Sequence, residues 1–274
     1  NYGGSTATVN VDNKTLFHAN EAIASNTNAG KAYGGGIHNQ SSVTGYINIT
    51  NDSVFSSNKA LGHEGYGGAV ANYVFGSSTT STGMITGYDS LIKNNEATSD
   101  GGGLYNYVYN GAYGTSSNAV ATISLDEVTV SKNKAGSYGG GIYNYGETSG
   151  SNSGNNTSTT NATITLVNST ISRNEAQYGG GLTNYGKTNS SISGYNTATA
   201  YNYTKTNIIS STIQGNVVTG TDAKGGGVYT YGNATASGYY QYERGTNVLD
   251  TINSIIYANY NSTNDEDFDD LYFD

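Results

Sequence analysis

Cysteine, proline and tryptophan are absent from the 274-residue chain, and methionine occurs once. The missing cysteines rule out a disulfide scaffold, a thiolate metal site and a thiol nucleophile. Charge is scarce: Asp, Glu, Lys and Arg make up 11%, where a soluble domain usually carries roughly a quarter. The few basic residues are scattered over a net charge of −9, which excludes the clustered positive face that a nucleic acid requires. Apolar runs are a few residues long, too short to span a membrane. Leu and Met are too sparse for a helical bundle. What the chain does have is 39 Gly, 26 Tyr and abundant Val, Ile and Thr, which suit strands and are too plentiful for a disordered polymer. Ser, Thr, Asn and Gly are left to make a neutral polar surface.

An internal repeat dominates the sequence. Short segments ending in asparagine recur at Asn20, Asn58, Asn95, Asn133, Asn174, Asn216 and Asn259, at intervals of 38, 37, 38, 41, 42 and 43 residues. A glycine cluster followed by an aliphatic residue comes after each of the first six, as in Gly101-Gly102-Gly103-Leu104 and Gly139-Gly140-Gly141-Ile142. Before each asparagine segment lies a stretch of alternating polarity, clearest in Thr163-Ile164-Thr165-Leu166. Period two predicts strands with one face inward. Each repeat thus offers three short strands, none able to bury its apolar face alone. Stacking solves this. The expected fold is all-β: a right-handed parallel β-helix of about seven turns, with three strands per turn over residues 1–259. The hand follows the general preference of parallel crossovers. A strand spacing of about 4.8 Å makes the rod roughly 34 Å long.

The residues after the asparagines read Glu21, Lys59, Glu96, Lys134 and Glu175, followed by Val217. With one repeat per turn these signs alternate down a column, turning like-charge repulsion into a charge ladder. The next column is Ala22, Ala60, Ala97, Ala135 and Ala176, small enough for a tight corner. The asparagines themselves are expected to form an internal amide ladder. The glycines read as corners with positive φ or close backbone approach; a phosphate loop would need a following helix and a lysine.

The long polar stretches 147–161 and 187–203 read as loops emerging on one side, with Tyr107, Tyr145, Tyr185 and Tyr231 at a common position suited to stacking. Of twelve Asn-x-Ser/Thr sites, Asn155, Asn161, Asn189 and Asn233 are the candidate glycan acceptors, being assigned to loops. Residues 260–274 form an acidic, aromatic tail. It either folds back as a cap or docks on another subunit as an added strand, with Phe268, Leu271, Tyr272 and Phe273 as candidate subunit contacts. No capping helix precedes the first strand, so end-to-end homopolymerisation is the expected partnership.

These motifs resemble the repeats of the chlamydial polymorphic outer membrane proteins and related adhesin-like surface proteins, which pair Gly-Gly-Ala-Ile with Phe-x-x-Asn. Gly67-Gly68-Ala69-Val70 with Phe55 to Asn58 reads closest, and the likeness extends to about Asn259. It implies a β-helix, an exported or cell-surface location and a role in adhesion. β-Helices also host polysaccharide-acting enzymes, which need paired carboxylates or a metal in a cleft. Asp52, Asp89 and Glu127 share one repeat position, a solvated turn or a weak calcium site. His18, His38 and His63 sit at different positions and make no triad. No catalytic residue, metal site or cofactor is therefore expected. The expectation is an extracellular structural protein, a self-assembling subunit of a fibre, sheath or layer. An adhesin is the alternative, and a polysaccharide-acting enzyme the less favoured one.

Overall fold

In Thr163-Ile164-Thr165-Leu166 the aliphatic residues are buried and the threonines are not, as a pleated strand with one inner face requires. The same alternation runs through the computed structural model, which describes residues 4–25, 29–113, 116–152, 154–193, 195–262 and 270–273. Among these residues there are strands and turns but no helix, and hence no helix long and apolar enough to cross a membrane.

Three parallel sheets wrap the core. The first is built on Thr6–Val11, Thr44–Ile49, Thr80–Lys93, Ser117–Ser131, Asn156–Val167, Thr197–Ile209 and Tyr240–Ile252, neighbours in chain order. The second contains Glu21–Ile23, Lys59–Leu61, Glu96–Ala97, Lys134–Ala135, Glu175–Ala176, Val217–Val218 and Tyr260–Asn261. The third contains Ile37–Ser41, Val70–Gly76, Leu104–Asn110, Ile142–Asn152, Leu182–Ile192, Val228–Ser237 and Leu271–Phe273. Each is seven levels deep, so the coil makes about six turns between its first level and its last, close to the expected seven. Equivalent residues stack: Ile47, Ile85, Ile123 and Ile164 are register partners on the first sheet, and Val70, Leu104, Ile142 and Leu182 on the third. All eight are fully buried. Burial of such a side chain contributes about 1.5–3 kcal/mol.

The turns close at three corners, each with left-handed backbone. One corner column is Lys14, Asp52, Asp89, Glu127, Asn168, Ser210 and Asn253; a second is Ala19, Ser57, Asn94, Lys132, Arg173, Gly215 and Ala258. The third is the first glycine of each cluster, from Gly34 to Gly225. It must be glycine, because a Cβ on Gly139 would lie 2.2 Å from the Ile142 carbonyl oxygen.

The stretches 147–161 and 187–203 are not loops. They lie almost wholly in Ile142–Asn152, Asn156–Val167, Leu182–Ile192 and Thr197–Ile209, which lengthen the third and first sheets beyond the aliphatic core. Burial alternates there as it does elsewhere, with small residues inward: Thr148, Ser158, Thr160, Ala198, Ala200 and Asn202 are buried. The two sheets come so close that a Cβ on Gly150 would lie 2.3 Å from Ser158 Oγ. Only small side chains fit between them. They bond across the gap, with Thr160 Oγ1 donating to Thr148 Oγ1 (2.9 Å) and Thr188 Oγ1 to the Tyr201 carbonyl (2.8 Å).

Candidate functional site

The repeated asparagines stack inside the corner that joins the first sheet to the second. Asn95 donates from its backbone N–H and from Nδ2 to Asn133 Oδ1, both at 2.9 Å. Asn133 bonds Asn174 Oδ1 in the same way, at 2.9 and 3.0 Å. The second Nδ2 proton goes to a carbonyl of the preceding turn, Ile92 for Asn133 (3.0 Å) and Val130 for Asn174 (3.1 Å). Asn20 and Asn58 extend the series on one side, Asn216 and Asn259 on the other. From Asn58 to Asn259 the side chains are buried, whereas Asn20 is exposed. Every amide donates toward the C-terminal end, so the ladder is polar. Bonds aligned in this way reinforce one another in a low dielectric.

A second ladder escaped the reading of the sequence. Asn39, Asn72, Asn106, Asn144 and Asn184 follow the glycine clusters at a fixed offset, with Nδ2 bonded to the next Oδ1 at 2.9–3.0 Å. Each also reaches across the core to first-sheet carbonyls, as Asn144 does to Ala121 (3.1 Å) and Thr163 (3.2 Å). This ladder ties the third sheet to the first. Its signal was the constant offset Gly-Gly-Gly-aliphatic-x-Asn.

Glu21, Lys59, Glu96, Lys134, Glu175 and Val217 are consecutive register partners on the second sheet. Within that column Lys59 approaches Glu96 at 3.8 Å and Lys134 approaches Glu175 at 2.7 Å. These side chains are 38–57% exposed, so water screens the pairs and they add little stability. Asp52, Asp89 and Glu127 occupy the left-handed corner column described above. No group of three or more His, Asp or Glu among the described residues is placed to hold a metal. The histidines are not brought together. His18 Nδ1 is 2.9 Å from Ser56 Oγ, His63 is exposed, and His38 stacks on Tyr33, where burial pulls it down to about 4.

Tyrosines sheathe the outside of the third sheet. Tyr73, Tyr107, Tyr145, Tyr185 and Tyr231 follow one another at centroid distances of 5.1, 5.0, 4.9 and 4.4 Å, stacked except for the Tyr145–Tyr185 pair, which is tilted by 39°. Beside them Tyr105 stacks on Tyr143, and a corner column carries Tyr33, Tyr66, Tyr138 and Tyr178. Burial pushes the Tyr105 and Tyr143 hydroxyls well above the ordinary tyrosine range.

Asp100 interrupts the corner column, between Tyr66 and Tyr138. Burial raises its carboxyl to about 6, against the Tyr138 N–H donated to Oδ1 at 3.2 Å. A folded-state pKa above the unfolded value of 3.8 gives stability that is complete below the unfolded pKa and is lost as pH rises through the folded one. Lowering the pH from 7 to 4.5 should therefore stabilise the protein through this group, by roughly 1–3 kcal/mol at most. Asp100→Asn should flatten that dependence and raise stability at pH 7. Urea midpoints of both proteins at the two pH values check this, and identical slopes would refute it.

Of the four candidate glycan acceptors, only Asn155 lies outside a strand. It is exposed, with Oδ1 accepting from the Thr197 N–H at 3.0 Å. Asn161, Asn189 and Asn233 are half-buried within strands, a consequence of the sheet extension described above. Phe268 lies outside the described residues. Leu271, Tyr272 and Phe273 pair with Val228, Tyr229 and Thr230 of their own chain.

Residues 127–145 match the Chlamydia polymorphic membrane protein repeat. The chain resembles that family. The matched stretch contains one rung of each ladder, Asn133 and Asn144, and the glycine corner between them. The match thus covers about half of one turn, from the Glu127 corner through the second sheet to the start of the third. The match is to a different copy from Phe55–Asn58 with Gly67–Val70. In the matched copy Asn133 and Gly139 are six residues apart, whereas Glu64–Tyr66 forms an extra strand between Asn58 and Gly67. The family is associated with the cell surface or outer membrane. No curated protein and no solved structure matches the chain.

Proposed function

We propose that the chain is a non-catalytic structural solenoid of the extracellular surface, and that its copies self-assemble into a fibre, sheath or layer. The commitment of its buried polar groups carries this reading. Asn58 to Asn259 and Asn39 to Asn184 spend their bonds on the neighbouring turn, whereas catalysis by a β-helix needs an acid and a base free in a cleft. Asp52, Asp89 and Glu127 sit at a corner, Asp250 is in an exposed pair with Lys205 (2.9 Å), and the more buried acids are engaged, Asp100 by the Tyr138 N–H and Glu147 by Lys187 and the Tyr145 hydroxyl. Likeness to a surface-associated family supports the location. Electron microscopy of the native chain over a concentration series is expected to show ordered assemblies. Particles of one-chain mass at the highest concentration would remove self-assembly.

One observation favours the adhesin reading. Where the chain crosses from the third sheet to the first, Tyr113, Tyr195, Tyr239 and Tyr240 are 58–82% exposed, and Tyr195 lies 4.8 Å from Tyr239. Open aromatic faces with a polar tip suit contact with a ligand. Binding to immobilised cell-surface glycans that disappears in Tyr195→Ser/Tyr239→Ser would favour adhesion over assembly.

A further inference from the structure

Asp270–Phe273 imitates a repeat. Leu271, Tyr272 and Phe273 fall in the columns that Ile142, Tyr143 and Asn144 occupy in the fourth turn. Asp270 stands at the third-glycine position: its carbonyl accepts the Val228 N–H at 3.0 Å, as Gly227 accepts that of Leu182 at 3.0 Å. Its carboxylate does what each earlier asparagine does, since Oδ1 accepts from the Asn259 N–H (3.0 Å) and Nδ2 (2.9 Å). A carboxylate accepts without donating onward. It therefore ends the ladder at its donor end, where negative charge is favoured.

Tyr272 completes the contact. Its ring stacks on Tyr229 at 5.4 Å and 10°, and its hydroxyl accepts from Lys224 Nζ at 2.7 Å. That ammonium also sits 4.4 Å from the ring centroid, a cation–π arrangement. The hold is nevertheless small: a three-residue strand in which Leu271 stays 42% exposed. Residues 264–274 carry Asp265, Glu266, Asp267, Asp269, Asp270 and Asp274 and no basic residue. Lys224 offers the opposite charge.

These are the contacts of a short peptide added to a sheet edge. We propose that the groove formed by Asn259, Lys224 and Val228–Thr230 is a docking site for residues 270–273 of a second copy, so that exchange of this strand joins copies. The proposal rests on the self-assembly reading and supplies its contact.

The test uses the full chain carrying Asp270→Ala and Tyr272→Ala, which leaves its own groove unfilled, and a fluorescein-labelled peptide of residues 264–274. A saturable rise in anisotropy is expected. Asp270→Ala in the peptide should weaken binding at least about tenfold, and Lys224→Ala in the chain should also weaken it. Asp270→Asn should restore most of the affinity, because an amide fills every earlier rung. No saturable binding, or equal binding of the Asp270→Ala peptide, overturns the proposal. Should the double variant lose its β-sheet circular dichroism, the peptide is titrated against the native chain. There it must displace the intramolecular strand, and no displacement at millimolar peptide overturns the proposal. Light scattering of the native chain separates the two readings. Assemblies that persist unchanged in excess peptide remove strand exchange and leave self-assembly standing. A strictly monomeric native chain removes self-assembly and, with it, exchange between copies.

Discussion

Asn133→Ala is expected to destabilise the protein by roughly 3–5 kcal/mol, because it strands two buried donors at once, each worth about 1–3 kcal/mol. Both the Asn95 N–H and Asn95 Nδ2 lose their acceptor, while the Ile92 carbonyl loses the Asn133 donor. Asn133 and Asn95 are at most 1% exposed, so water cannot take over. Asn20→Ala provides the contrast. That residue is exposed at the start of the ladder, and its loss removes one donor from Asn58 Oδ1, which still accepts the backbone N–H of residue 20. About 1 kcal/mol or less is expected there. Urea denaturation measures both. Equal losses at the two sites would mean that asparagine acts locally at its corner and that the ladder adds nothing.

The one-turn register was legible because charge and size repeat in the same columns. Glu21, Lys59, Glu96 and Lys134 alternate in sign beside an alanine column, and they stack as that alternation requires. The second ladder was hidden by its chemistry. In Ile142-Tyr143-Asn144 the asparagine occupies an inward position, and a polar residue there reads as a break in the apolar pattern. Its role emerges only when the next turn supplies Asn184 Oδ1. The polar stretches misled for a related reason. Thr197-Ala198-Thr199-Ala200 has the period of a strand but none of the bulk expected of a core. The bulk is missing because the two sheets meet there at nearly backbone distance, as the Gly186 Cβ position 2.4 Å from Thr204 Oγ1 shows. Of the tyrosines, the column from Tyr107 to Tyr231 follows from a common offset. Tyr138 and Tyr178 belong to a corner whose equivalent residues are Asp100 and Lys224, so identity alone did not mark it.

Gly140→Ala is expected to be at least as damaging, more than about 3 kcal/mol, at the upper end of overpacking effects. The reason is proximity rather than conformation. A Cβ there would lie 2.4 Å from the Gly180 carbonyl oxygen and 2.5 Å from that of Glu175. Both belong to backbone of the next turn, so no side chain can swing aside. Relief requires the third sheet to move off the second, which pulls on the Ile142–Leu182 register and on the Asn144 rung beside it. Gly215→Asn is the informative partner. Gly215 has φ +60, with Arg173 Cγ at 3.8 Å as its nearest neighbour. Its column holds Ala19, Ser57, Asn94, Lys132, Arg173 and Ala258 at φ 52–58°. Asparagine tolerates that backbone and lowers the entropy of the unfolded chain. A change within about 0.5 kcal/mol of the native protein is expected. Thermal unfolding of the two variants separates a sterically closed corner from a merely left-handed one. If Gly140→Ala proved no worse than Gly215→Asn, the second glycine of the cluster would not be held by close approach, and the tight seam between the second and third sheets would have to be abandoned.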